Sequence, residues 1–355
     1  MEIGSEYWLE KYNADESIHN IVEKDNMVLL MSGRTAIDLA LDIINKNNEI
    51  RKIYMPSYCC ESMLIAFKER NMQIDFYDVE YKNGNLVYDI NLQEDCDLFF
   101  AMNYFGFSNY NMDFYIENYK RKGCIVIEDS THSLLSQRKY NKHSDVVIAS
   151  LRKWFPIISG GLLIINNEEC SQDIKEKKKK LINNKEYIEL KKMAMEKKRE
   201  YIHNKTISKE IFLGKFKEAD KILKDKYQYC KIDEVSQNIL EHIDINRIVD
   251  SRIKNVKMIY SYLREQSQIG FLDKIDFSKD CPLFVPIFLK NEKREEIRKK
   301  LICNNVFCPI HWPVPADIKE ESQKKIYYNE LSLICDQRYS VQEIQDYMNL
   351  IKNEE

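Results

Sequence analysis

Short aliphatic and β-branched runs alternate with segments of helical spacing over residues 27–167, and that rhythm predicts a βαβ arrangement. Residues 29–32 read as a strand feeding Gly33-Arg34-Thr35-Ala36, after which Ile37, Leu39, Ala40, Leu41 and Ile44 make a largely apolar helix. Ile53-Tyr54-Met55 ending at Pro56, residues 74–77 and Leu98–Met102 supply further strands, each separated by a turn or helix. Residues 124–127 form a short apolar run, read as a buried parallel strand that delivers Glu128 and Asp129 at its carboxyl end, where open α/β sheets place ligands. A second run, Val146–Ala149, ends at Ser150 and Lys153 ahead of Gly160-Gly161, so two strand ends are expected to converge on one crevice. The fold class expected is α/β: a large domain with a mainly parallel, seven-stranded-type sheet flanked by helices, plus a smaller C-terminal α/β domain.

Residues 172–232 break the rhythm. They are strongly basic and free of Pro, and read as one or two long helices, with the Lys run 177–180 on a solvated face. From Cys281 the pattern changes again: residues 283–289 read as a strand, 292–304 as a helix and 306–310 as a second strand. The expected division is residues 1–235 for the large domain, basic helical stretch included, and 236–355 for a linking helix and the small domain.

The 355 residues suffice for two or three domains with a substantial core, and 44% of them are hydrophobic. Lys plus Arg (54) nearly balance Asp plus Glu (57), which argues against disorder and against bulk attraction to nucleic acid. No apolar run approaches the roughly 18 residues of a membrane span, and the first residues lack a basic region followed by an apolar core. A cytoplasmic protein is expected. Ten Cys are scattered, the only close pair is Cys59-Cys60 and no CxxC occurs, so they read as reduced, mostly buried thiols without a metal site.

Against that background the segment 124–161 carries the chemistry. Lys153 is an amine able to form a Schiff base, Asp129 an acid able to hold a protonated ring nitrogen, and Ser150 a hydroxyl for a phosphate. The three together describe a site for pyridoxal 5'-phosphate. None is diagnostic alone, because charged residues make up 31% of the chain.

With Ser32-Gly33-Arg34-Thr35-Ala36, Met55-Pro56-Ser57-Tyr58, Glu128-Asp129-Ser130-Thr131-His132 and Ser144-Asp145 before Ser150-Leu151-Arg152-Lys153 and Gly160-Gly161 in this order, the chain resembles the DegT/DnrJ-type aminotransferases. These are fold-type I pyridoxal phosphate enzymes. Ser236, Leu240, Arg252 and Asn255, then Cys308-Pro309-Ile310-His311-Trp312 and Asp336-Gln337-Arg338-Tyr339, extend the resemblance over most of the chain. It implies that the turn Gly33-Arg34-Thr35 and Ser150 receive the cofactor phosphate, the former through backbone N–H groups, the Thr35 hydroxyl and the positive helix end. It implies also that Asp129 pairs with the pyridine nitrogen, His132 contacts the phenolic oxygen, and Lys153 is the Schiff-base lysine that moves the substrate α-proton. Some relatives carry His in place of that Lys and dehydrate their substrate, so Lys153 implies transamination.

Two positions depart from the pattern. The ring-stacking aromatic that relatives carry after the strand-end proline has Tyr58 as its candidate, with Cys59 and Cys60 next to it, and Arg34 is bulkier than the usual residue of the phosphate turn. Arg34 reads equally as an anion contact or a surface residue. Arg252 and Asn255 share a helix face, which suits a phosphate or partner contact as well as packing within the monomer. His311-Trp312 suits either the substrate entrance or an anchor of the small domain, and Asp336-Gln337-Arg338-Tyr339 reads as a salt-bridged corner. What the resemblance implies for function is a homodimer that moves an amino group from an amino acid such as L-glutamate to a keto-sugar, usually nucleotide-linked, in polysaccharide, glycan or secondary-metabolite biosynthesis. A pyridoxal phosphate enzyme for a non-sugar keto or amino-acid substrate, and a catalytically silent binding protein of the same fold, remain alternatives.

Overall fold

Leu98–Met102 is buried at every position, and a strand apolar on both faces needs covered neighbours on each side. It lies between Ile125–Asp129 and Lys52–Pro56, both parallel to it, and Gln73–Lys82 follows in the same direction. Asn85–Asp89 closes the edge as an antiparallel strand. The computed structural model of the protein describes residues 2–10, 21–46, 49–138, 140–167 and 170–352.

These strands belong to the first of two units, built from Met1–Ser5, Ile50–Ser144 and Ile245–Glu355. Register places Ala101 opposite Glu128 and Met102 opposite Asp129, so the two acids sit at the carboxyl end of the strand, as expected. The edge hairpin turns on Asn83 and Gly84, with φ of 47° and 80°, the left-handed pair that a tight hairpin requires. That Asn-Gly signal carries the strand well past the four residues read from apolar spacing.

The same unit holds a small antiparallel sheet of Gly270–Phe271, Val285–Phe288 and Glu330–Leu333. Helices Ile245–Leu263, Asn291–Cys303, Glu321–Asn329 and Val341–Lys352 accompany it. The strand expected over 306–310 is only Val306–Phe307, paired in parallel with Ile3–Gly4. The carbonyl of Pro309 bonds instead to Ser332, and a proline has no N–H with which to prolong a ladder.

The second unit comprises Glu6–Glu49 and Asp145–Asp244. Its strands are antiparallel, Gly161–Ile165 lying between Met27–Leu30 and Val146–Ala149. The apolar helix is Gly33–Ile44, capped by Ser32, whose hydroxyl oxygen accepts the Thr35 N–H at 3.1 Å. The basic stretch forms three helices, Ser171–Lys178, Lys185–Asn204 and Lys209–Asp225, rather than one or two. Asn184 caps the second by accepting from the Tyr187 N–H, and Lys205 in the left-handed region (φ 52°) ends it.

Not all of this basic surface is solvated. Lys177 reaches the Asp42 carboxylate at 3.2 Å and the Tyr229 hydroxyl at 2.8 Å. Lys191 and Lys198 are 2% and 1% exposed, two helical turns apart on one face, against Phe216 and Trp8 respectively.

Gly161 is required by close approach: a Cβ there would lie 2.1 Å from the Ser32 carbonyl oxygen. Gly214, inside the helix Lys209–Asp225, has open space where a Cβ would stand, with nothing within 4 Å. Gly161→Ala is therefore expected to lower the free energy of unfolding by about 1–3 kcal/mol. Gly214→Ala is expected to raise it by about 0.5–1 kcal/mol. Urea denaturation of both variants checks the pair, and equal effects would contradict it.

Candidate functional site

Within the second unit, the approach of Gly161 to Ser32 sets two backbone turns against each other. The Gly160 N–H donates to the Met31 carbonyl at 2.8 Å, and the Gly160 carbonyl accepts from the Leu151 N–H at 3.1 Å. The result places Ser150 against Gly33, where an added Cβ would sit 3.3 Å from the Ser150 Cβ. Gly33 opens its helix, and an N–H in the first turn has no carbonyl of the same helix to bond. Ser150 is buried and starts the 3-10 turn Leu151–Lys153, with Lys153 half-buried. Gly33, Ser150 and Lys153, far apart in sequence, are thus carried on adjoining turns of one unit.

The Thr35 hydroxyl is engaged otherwise than its expected task requires. Its hydroxyl donates to the Tyr227 carbonyl at 3.0 Å and contacts the Ser32 hydroxyl at 2.9 Å, so its proton is already engaged. Arg34 donates to the Leu223 carbonyl at 3.0 Å and covers the Tyr227 ring, which caps the end of the helix Lys209–Asp225. Both are fastenings of the helix start.

The turn bearing Lys153 is braced on two sides. Ser236, one of the positions of the resemblance, accepts the Ile158 and Ser159 N–H groups at 2.9 and 3.1 Å, and its own N–H bonds to the capping Asp233 at 2.9 Å. Arg152 donates to the Tyr187 hydroxyl at 3.1 Å, and that hydroxyl donates to the Ile158 carbonyl at 3.0 Å. Burial opposes the Arg152 charge, but Tyr187, Glu6 and Asp220 outweigh it and raise its pKa. Lys191 meets Glu6 at 2.9 Å. That lysine first, against some desolvation, holds the Glu6 carboxyl down at about 2.

In the first unit, Asp129 is 6% exposed and its carboxylate accepts the Thr131 N–H at 2.7 Å, which sets its orientation. Glu128, fully buried beside it, is a different case. It accepts from Asn103 at 2.6 Å, the Asn141 N–H at 2.7 Å, the Ser144 hydroxyl at 2.6 Å and Arg138 at 3.2 Å. Such a set satisfies a buried charge and leaves Glu128 structural. Arg138 is shared between Glu128 and Asp113.

His132 is fully buried, its Nδ1 accepting the Phe105 N–H at 3.2 Å and its ring stacked on Trp312 at 5.9 Å. Tyr58 also has no accessible surface: Tyr104 stacks on one face at 5.4 Å, with Tyr327 and Trp312 at 4.9 and 5.2 Å. A ring so enclosed offers no face to a ligand, which removes the stacking role read for it. Burial first, then Glu330, pushes its phenol well above the usual range. Ser57 and Ser130 directly follow the strands Lys52–Pro56 and Ile125–Asp129, and their hydroxyls, with that of Ser133, are buried without a hydrogen-bond partner among the described residues. Buried hydroxyls are rarely left so, and such groups after the carboxyl ends of strands suit a polar ligand. Sequence reasoning passed over them, since serine beside a strand end carries no signal of its own.

Arg252 and Asn255 serve packing within the chain. Arg252 donates to Gln337 at 2.9 Å and to the Leu283 carbonyl at 3.0 Å, and Asn255 to the carbonyls of Asp336 and Tyr339 at 3.1 and 3.0 Å. The corner itself is ion-paired, Arg338 to Asp336 at 2.8 Å. Among the described residues no cluster of His, Cys, Asp and Glu suits a metal, and no helix is long and apolar enough to cross a membrane.

No family model and no curated protein matches the sequence. Solved structures do. The aminotransferase TlmJ from Streptoalloteichus hindustanus is 12% identical, with 93% of this chain and 86% of that one covered at a TM-score of 0.68. PseC of Helicobacter pylori, an aminotransferase involved in the biosynthesis of pseudoaminic acid, is 12% identical over 99% of this chain and 98% of that one, TM-score 0.67. NtdA from Bacillus subtilis, solved with the cofactor PMP bound, is 14% identical over 92% of this chain and 73% of that one, TM-score 0.63. The property shared at such identities is the fold, and the chain has the α/β fold of these aminotransferases.

Because the folded Glu6 carboxyl titrates near 2 and an ordinary one at 4.5, its pairing stabilises the protein above pH 4.5 and is lost as the pH falls through about 2. The difference in unfolding free energy between the wild type and Glu6→Gln is expected to be greatest above pH 4.5 and to shrink toward pH 2. Urea titrations across that range measure it; a difference independent of pH would remove the Glu6–Lys191 pair as its source.

Proposed function

We propose that the protein is a pyridoxal phosphate-dependent aminotransferase that moves an amino group from an amino acid, L-glutamate in the first instance, to a keto-sugar. The residues present fit that cofactor: in the second unit the Gly33 N–H at a helix start, packed without a side chain against Ser150, suits its phosphate, and in the first the buried Asp129 carboxylate, beside the unpartnered Ser130 hydroxyl, suits its ring. The observation that carries the reading is Lys153, set one turn from Ser150 on a turn braced by Arg152 and Ser236.

When bound, the cofactor supplies a protonated ring that withdraws electrons from the bond to the α-hydrogen of the donor. Asp129 holds the proton on the ring nitrogen, an arrangement that keeps both the buried carboxylate and the ring charged. Lys153 would hold the cofactor at rest through its Nζ, and the same nitrogen would serve as the base that accepts the α-proton and returns it at the neighbouring carbon. Gly33 and Ser150 anchor the phosphate throughout. His132 Nδ1 is occupied by the Phe105 N–H, so a contact of His132 to the cofactor's phenolic oxygen would run through Nε2.

A nucleotide-linked sugar as acceptor is favoured by the neighbours, one of which was solved in the presence of its TDP-sugar product. The homodimer rests on the resemblance alone, since Arg252 and Asn255 are engaged within the chain, and the cytoplasmic location rests on the sequence pattern alone. Added pyridoxal phosphate is expected to give a visible absorption band that L-glutamate bleaches, with 2-oxoglutarate released in equal amount. In Lys153→Ala the band at rest should be absent. A wild type that takes up no cofactor would overturn the proposal.

A further inference from the structure

His311 is left without a task by the reaction above, and the groups around it are unusually ordered. It is 5% exposed, and its backbone N–H donates to Glu330 Oε2 at 2.7 Å. Its Nδ1 lies 2.8 Å from the Ser332 hydroxyl, and that hydroxyl donates to Glu330 Oε1. Serine has one proton to give. With that proton on Glu330, the Ser332 oxygen can only accept from His311, which places the imidazole proton on Nδ1. The Glu330 carboxylate, fully buried and 3.7 Å from Nδ1, favours the same placement. Phe284, Trp312 and His132, with ring centroids at 5.0, 5.1 and 5.4 Å, fix the plane of the ring. Among the described residues Nε2 makes no hydrogen bond, and its lone pair is left to a ligand.

We propose that Glu330 and Ser332 fix the imidazole proton of His311 on Nδ1, and that its Nε2 accepts a hydrogen bond from a hydroxyl of the polyol acceptor. Glu330 and Ser332 are positioning residues that act through His311. The identity of the substrate rests on the amino-transfer reading; the tautomer does not. A hydroxyl-bearing sugar meets an acceptor at this position, whereas the amino-acid donor has no hydroxyl to offer it. Discrimination between the two half-reactions follows.

Nitrogen-15 NMR of the cofactor-free chain labelled at its six histidines tests the first part, with His311→Asn assigning the signal. The expected spectrum has a protonated Nδ1 and a bare Nε2 at His311, and Ser332→Ala shifts the proton toward Nε2. A wild type with the proton on Nε2, or with both nitrogens protonated, overturns the proposal. For the second part, the amide of His311→Asn can still donate to Ser332 but presents nothing in place of Nε2. Its KM for the keto-sugar is expected to rise about tenfold, the loss of one hydrogen bond, while the single-turnover rate with L-glutamate stays unchanged. Equal loss in both half-reactions overturns the substrate contact. A wild type without amino transfer sinks the function instead, and the NMR result stands apart from it.

Discussion

The close approach of the strand at Gly161 to the carbonyl of Ser32 is the constraint on which the second unit turns. No side chain fits there, and the backbone contact it permits draws the start of the helix Gly33–Ile44 against the turn that follows Val146–Ala149. A helix start, a hydroxyl and an amine are brought onto neighbouring turns by packing, before any ligand is considered. The Gly160 hydrogen bonds to Met31 and Leu151 hold the same juncture from the other side. Preorganisation of this kind belongs to rigid elements, and the binding groups inherit their positions from it.

Charge is managed by contrast between neighbours. Glu128 and Asp129 are adjacent in sequence, but strand alternation sends them to opposite faces. One meets Asn103, Arg138, Asn141 and Ser144; the other is oriented by the Thr131 N–H and keeps company with unsatisfied hydroxyls. The saturated acid stiffens the strand end, and its neighbour stands beside the buried Ser130, whose hydroxyl a polar ligand would satisfy. Lys191 and Lys153 repeat the contrast among amines: the former is sealed against Glu6 and the Phe216 ring, the latter is half-buried on a short turn.

Much of the fold was legible because short buried strands announce themselves by composition. Leu98–Met102 and Val146–Ala149 have the bounds read from the sequence. Glu128-Asp129 falls at a strand end, as expected. What could not be read is what long, versatile side chains do once packed. Arg34, Arg252 and Asn255 carry groups that suit anions in the abstract, yet each is taken up by backbone carbonyls. Thr35 and Tyr58 have the right residue types for a cofactor, but a Tyr227 carbonyl and an aromatic cluster claim them first. The breaks in the basic stretch were missed because Asn184 and Lys205 stop a helix through capping and backbone geometry, which hydrophobic spacing does not register.

The pairing of Ile3–Gly4 with Val306–Phe307 bears on how the chain must be assembled. The Gly4 N–H is also held by the Tyr339 hydroxyl at 2.8 Å, so contacts of the first few residues wait for residues more than 300 positions later. The first unit is interrupted twice in the same way, its strands over Ile50–Ser144 being separated from Ile245–Glu355 by the whole of the second unit's later segment. During synthesis the strands over Ile50–Ser144 emerge before the segment Ile245–Glu355 that completes their unit. Closure of this unit is therefore long-range and slow, and the interval before it is when the nascent chain most needs shelter from aggregation.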